Sequence, residues 1–147
     1  MTLTTEKHPH LIFAYGTLKR DYGNSRVFSG GRGEFVASGV TEDKFVMTTG
    51  GFPRVYRPTD ALPAWAVSQA APVRGDLWRA DDEALASCDR IEGHPDWYKR
   101  EEVDVWIDGT IVVKAWLYIM PAKKASGELV MPGESGVLDW QGSRVEA

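Results

Sequence analysis

Glu92 is the acid whose position asks for an explanation. It closes the stretch DDEALASCDRIEG (81–93), the one segment written clearly as a helix. Asp81, Asp82 and Glu83 place negative charge at its N-terminus, Gly93 stands where a left-handed C-terminal cap belongs, and Pro95 blocks continuation. The apolar stripe of such a helix is Ala84, Leu85, Cys88 and Ile91. At about 100° per residue, Glu92 lies roughly 20° from Leu85 and roughly 40° from Cys88 around the axis. The acid therefore falls on the buried edge of the last turn, beside the negative end of the helix dipole. Desolvation, apolar neighbours and dipole sign all disfavour a carboxylate and raise its pKa from the ordinary value near 4.3. Proteins rarely bury a glutamate without cause. The competing reading is that the helix end frays and Glu92 swings to water or pairs with Arg100.

A second stretch, YGTLKR (15–20), ends the apolar run Ile12-Phe13-Ala14 with a glycine break. A turn would merely reverse the chain there. Glycine also lets a backbone approach a ligand closely and point successive N–H groups at one anion. Lys19 and Arg20 add positive potential nearby, or are simply solvated.

Strands must position both stretches. LIFAY (11–15) is short and apolar; GEFVASGV (33–40) and DKFVMTT (43–49) look like two paired strands. PVRGDLWRA (72–80) alternates, with Val73, Gly75 and Leu77 on one side, and Gly39 and Gly75 suit bends of a tightly curved sheet. EEVDVWI (101–107) puts Val103, Val105 and Ile107 on one face, and Asp108-Gly109 turns it into TIVVKAWLYIM (110–120), expected as a central strand. A short helical turn is expected over 24–28. The stretch 57–71 fits no period and reads as a long loop, either a lid or disordered. Residues 121–147 are expected to strap across the body, docking Val137, Leu138 and Trp140 on its surface.

The length of 147 residues suits one domain, expected over 11–147, with 1–10 a solvated, flexible tail. His8 and His10 in that tail raise a metal site only weakly, since no carboxylate or cysteine cluster accompanies them. The single cysteine, Cys88, excludes an intrachain disulfide and points to a reduced, cytoplasmic setting. A net charge of −4 offers no basic footprint for nucleic acid. No segment reaches the length of apolar residues that spans a membrane, and MTLTTEKHPH has no apolar core of a secretory signal. Oligomeric state is not legible.

Taken together, Y-G-T-L-K-R (15–20), E-G-H-P-D-W-Y-K-R (92–100) with Asp89 ahead of it, and A-W-L-Y (115–118) resemble the gamma-glutamylcyclotransferase-like family, most closely its gamma-glutamylamine cyclotransferase branch. The resemblance implies an α+β fold, a small mixed β-barrel with a few short helices around it and a cavity at one end. It implies that Glu92 is the general acid/base, that Tyr15, Gly16, Thr17 and Leu18 bind the glutamyl end of a small-molecule substrate, and that Tyr98 and Tyr118 line the pocket, bonding substrate or Glu92. No metal or other cofactor is implied. Arg100 is expected to orient the loop after the helix. The sequence departs from the family at Asp21-Tyr22-Gly23-Asn24 and at Gly50-Gly51-Phe52-Pro53-Arg54-Val55, where Arg54 either meets an acidic substrate group or sits in solvent. Those departures motivate a second reading, a non-catalytic module binding a small amide on the same barrel. A third is an assembly protein using its six tryptophans, Trp65 and Trp140 among them, as interface anchors.

Overall fold

The computed structural model describes residues 3–16, 18–19 and 23–140. Eight strands follow in chain order: β1 (His10–Ala14), β2 (Gly33–Thr41), β3 (Val46–Thr49), β4 (Pro53–Tyr56), β5 (Arg74–Ala80), β6 (Lys99–Ile107), β7 (Ile111–Ile119) and β8 (Glu128–Leu129). Two α-helices, α1 (Ala64–Val67) and α2 (Asp82–Glu92), and two 3-10 turns, Gly23–Phe28 and Ala122–Lys124, complete the elements. Five strands close a barrel in the order β1-β5-β2-β6-β7, while β4-β3-β8 form a separate small sheet. The barrel's seam is the parallel pair β1–β7 at Ile12 and Trp116; its other pairs are antiparallel.

Period-two alternation sends each barrel strand's side chains into two different cores. Leu11, Phe13, Leu77, Val105 and Leu117 meet in one cluster. The intervening Ile12, Ala14, Trp78 and Tyr118 meet Ala84, Leu85 and Cys88 of α2 in the other, so β1 is buried on both faces. Phe28 of the first 3-10 turn stacks on Trp78 at 4.4 Å and closes this outer layer. Tight curvature has a visible cause. Gly39 and Gly75 are direct cross-strand partners in β2 and β5. A side chain at Gly39 would stand 2.6 Å from Val105 Cγ1, and one at Gly75 would collide with the Ala14 carbonyl. Asp108 and Gly109, with φ of 53° and 66°, make the mirror-image turn that a tight hairpin between β6 and β7 requires.

Several expectations need correcting. The 33–40 and 43–49 segments are strands but not partners: β2 pairs with β5 and β6, β3 with β4 and β8. The 57–71 stretch is not structureless, since it carries α1 and buries Leu62 and Ala66. Residues 3–10 are not a solvated tail. His8 is 3% exposed with Nε2 2.7 Å from the Gly31 carbonyl, and His10 opens β1 with Nε2 2.6 Å from Asp82. Leu138 and Trp140 dock in the core cluster rather than on the surface, Leu138 bridging to Val73. Positions 141–147 of the expected strap lie outside the described residues. Among the described residues no helix is long and apolar enough to cross a membrane.

Candidate active site

A hollow of about 210 Å³ opens where β1 and α2 end and β6 begins. α2 delivers the acid. Asp81 caps the helix, its carboxylate accepting the Ala84 N–H at 2.8 Å, and Gly93 ends it with φ 67°. Beyond the cap the chain folds straight back. The Trp97 N–H donates to the Gly93 carbonyl at 2.8 Å and the Tyr98 N–H to the Glu92 carbonyl at 3.1 Å. A side chain at Gly93 would stand 2.9 Å from Trp97 Cβ, so glycine serves both the backbone angle and this close return. Glu92, Trp97 and Tyr98 thereby line one hollow.

Glu92 is half-buried, and loss of water lifts its pKa to about 7. Among the described residues no hydrogen bond or ion pair reaches its carboxyl, so nothing offsets that desolvation. The pairing with Arg100 that the competing reading allowed is not formed. Arg100 instead turns to Asp89, Nε to Oδ1 at 2.9 Å, with its guanidinium 4.3 Å from the Trp116 ring centroid. The same Asp89 oxygen accepts the Tyr118 hydroxyl at 2.6 Å. Arg100 and Tyr118 are cross-strand partners in β6 and β7, which is why both reach one carboxylate. The backbone N–H of residue 100 also donates to His94 Nδ1 at 3.2 Å, tying the 93–98 loop to the barrel. Ile91, expected on the buried stripe, is 44% exposed because it faces the open hollow.

The loop after β1 reaches the same space: Tyr15, Gly16 and Leu18 line the hollow together with Glu92. Thr17 and Arg20 lie outside the described residues. Tyr15 donates from its hydroxyl to the Tyr118 carbonyl at 2.8 Å, and burial, reinforced by Tyr98 and Glu92, pushes its pKa well up. Glycine at 16 has a packing reason besides any ligand, since a side chain there would stand 2.8 Å from Pro53 Cγ. The Pro53 carbonyl accepts the Tyr98 hydroxyl at 2.9 Å. Tyr98 and Tyr118 both line the hollow, and their hydroxyls go to Pro53 and Asp89, not to Glu92. Burial first, then the nearby Glu92 charge, raises the Tyr98 phenol; burial and the Asp89 bond raise that of Tyr118. Burial likewise pushes the Cys88 thiol up to about 12, which leaves it protonated and inert. Lys19 is not solvated. Its ammonium donates to the Trp140 carbonyl at 2.6 Å, with Asp139 at 3.5 Å, and so anchors the chain's late segment to the loop after β1.

Sequence reasoning missed Asp89's partners and the contributions of Phe52, Pro53, Ile91 and Trp97 to the walls. Asp89 alone carried a signal, standing three residues before Glu92 on adjoining helical positions. An acid that is water-poor and without a partner among the described residues, beside a backbone bend, can move protons on a small ligand that enters the hollow.

Comparison with known proteins fits this geometry. The chain is 28% identical over 123 residues (84% of it, 92% of the relative) to a protein of Methanocaldococcus jannaschii provisionally named a gamma-glutamylcyclotransferase. A Drosophila melanogaster protein provisionally given the same name is also 28% identical, over 82% of this chain and 77% of the relative. Among solved structures, an AIG2-like protein of Mus musculus superposes with a TM-score of 0.65 at 24% identity, covering 92% of this chain and 98% of that one. An uncharacterized protein of Pyrococcus horikoshii does so with a TM-score of 0.62 at 18% identity, covering 87% and 88%. Both share the fold. The family model for gamma-glutamyl cyclotransferase, AIG2-like proteins matches residues 12–140, and the chain belongs to that family.

Proposed function

We propose that the protein is a cyclotransferase that cleaves a γ-glutamyl amide or dipeptide into 5-oxoproline and a free amine or amino acid, with Glu92 carrying the proton. The observation behind this reading is Glu92, without a partner among the described residues and raised to about 7 by desolvation, on the wall it shares with the loop after β1. The substrate's α-amine attacks its own γ-carbonyl carbon, forming the lactam C–N bond as the amide C–N bond breaks. As an ammonium the nucleophile has no lone pair, so a base must take a proton; the departing nitrogen must then receive one. One carboxyl group does both in turn, and a pKa near the working pH keeps each transfer close to balance. The hollow folds the glutamyl chain so that nitrogen and carbonyl carbon meet, which removes the entropy cost of bringing them together. Tyr15, Gly16, Thr17 and Leu18 hold the glutamyl end in this reading, and Tyr98 and Tyr118 present their rings to its chain. No cofactor enters these steps.

The test is a panel of γ-glutamyl amino acids, γ-glutamyl-lysine isopeptide and γ-glutamyl amines, with 5-oxoproline measured for wild type and Glu92→Gln. Wild type is expected to turn over at least one of them, and Glu92→Gln to lose about 10²–10⁴-fold in kcat/KM. Full activity in Glu92→Gln, or no turnover of any substrate, overturns the reading.

A further inference from the structure

Arg54 stands out among the cations around the hollow. Arg57 pairs with Asp43 and Glu101, and Arg100 with Asp89. Arg54, in β4 next to the wall residue Pro53, has no ion pair among the described residues, and its Nε is buried without a hydrogen-bond partner. Its guanidinium lies 4.5 Å from the ring centroid of Phe52, itself a wall residue, and its charge is felt at the Tyr98 phenol inside the hollow. A buried, unanswered guanidinium N–H is costly and is rarely retained without a partner to come.

The rim around it is apolar. Phe52, Ile91 and Trp97 are 40%, 44% and 45% exposed, and all three line the hollow. A second cation sits over this rim, Lys124 Nζ lying 4.8 Å from the Trp97 ring centroid. Exposed aromatic and aliphatic surface crossed by two cations suits a group that is apolar on one side and anionic on the other. It repels a cationic one.

Resting on the cyclotransferase reading above, we propose that Arg54 is a specificity-determining residue: it selects substrates whose leaving amine bears a carboxylate, while Phe52, Ile91 and Trp97 receive that amine's apolar side chain. The leaving group is then an amino acid or peptide rather than a simple amine or polyamine. The planar guanidinium fork matches a carboxylate in two hydrogen bonds, and the vacant Nε–H is one of them.

The experiment compares γ-glutamyl-phenylalanine with γ-glutamyl-phenethylamine, which differ only by the carboxylate. Wild type is expected to favour the former by about 10- to 100-fold in kcat/KM, the range of a charge-assisted hydrogen bond. Arg54→Gln should bring the ratio to within about threefold of unity, and Arg54→Lys, which keeps the charge without the fork, should fall between. Because the ratio is read within one preparation, partial misfolding of a variant cancels. Equal turnover of both compounds by wild type, or an unchanged ratio in Arg54→Gln, overturns the assignment while leaving the cyclotransferase reading intact. Calorimetric dissociation constants for the same pair carry the test if neither compound reacts. Tighter binding of γ-glutamyl-phenylalanine that is lost in Arg54→Gln then supports the role of Arg54 even as the chemistry fails, and equal binding overturns it.

Discussion

Two carboxylates stand three residues apart on α2, and the structure treats them in opposite ways. Asp89 is held by Arg100 at 2.9 Å and by the Tyr118 hydroxyl at 2.6 Å, all on one oxygen. Glu92, one turn later, has no such partner among the described residues and is lifted by desolvation to about 7. An anchor must be paired, because its charge then holds the elements on either side of it together. A proton carrier must be unpaired, because any cation beside it would fix it as the carboxylate. The helix supplies both by placing one acid against the β6–β7 pair and the next over the mouth of the hollow.

The largest test of this contrast is stability against pH. Glu92's folded pKa of about 7 exceeds the ordinary glutamate value of 4.5. The folded state therefore holds this proton more tightly, and Glu92's penalty is absent below pH 4.5, grows as pH rises and is complete above about 7. The difference corresponds to about 3 kcal/mol. Glu92→Gln should unfold in urea with a free energy higher than wild type by about that amount at pH 8.5, the gap closing toward pH 4.5. A variant as stable as wild type at both pH values would mean that Glu92 is solvated, and the contrast would fall.

Asp89→Asn should move stability the other way. It removes the charge that Arg100 and Tyr118 face while keeping the shape, and both partners are largely out of water. The expected cost is about 1–2 kcal/mol at pH 7, read from the urea midpoint, and smaller in high salt. Stability unchanged or raised would show that Asp89 is no anchor.

Much of this is legible in the sequence. α2, its caps and the inward edge of its last turn follow from apolar spacing, and the β6–β7 hairpin follows from Asp108-Gly109. Local rules suffice there because the determining residues are neighbours in the chain. Partnerships across the barrel were not legible. Whether the second and third strands pair depends on which edges remain free after closure, not on either sequence. Asp89's bond to Tyr118 spans 29 residues and exists only because β6–β7 register sets Tyr118 beside Arg100. Whether Lys19 serves the loop or water was open because its partner, the Trp140 carbonyl, lies 121 residues away. Ile91 obeyed the helical period yet ended exposed, since a period gives direction and not whether a cavity lies there.

The smallest effect is the most discriminating, because it asks whether the two acids are electrically independent. The acidic limb of kcat/KM should report Glu92, with activity falling below a midpoint near 7 as the base is protonated. Asp89 and Glu92 sit at i and i+3, about 5–6 Å apart at Cβ, so each feels the other's surroundings. Arg100→Met leaves the Asp89 charge uncompensated, which disfavours a second carboxylate nearby and should move the midpoint up. Asp89→Asn leaves the Arg100 cation instead and should move it down. Each shift is expected to be about half a pH unit, the size of a partly screened interaction at that distance. Shifts of opposite sign cannot come from loss of folded protein, which lowers the whole profile without moving its midpoint. Two profiles displaced in the same direction, or not at all, would show that the anchored pair fixes Glu92's position but has no part in setting its proton affinity.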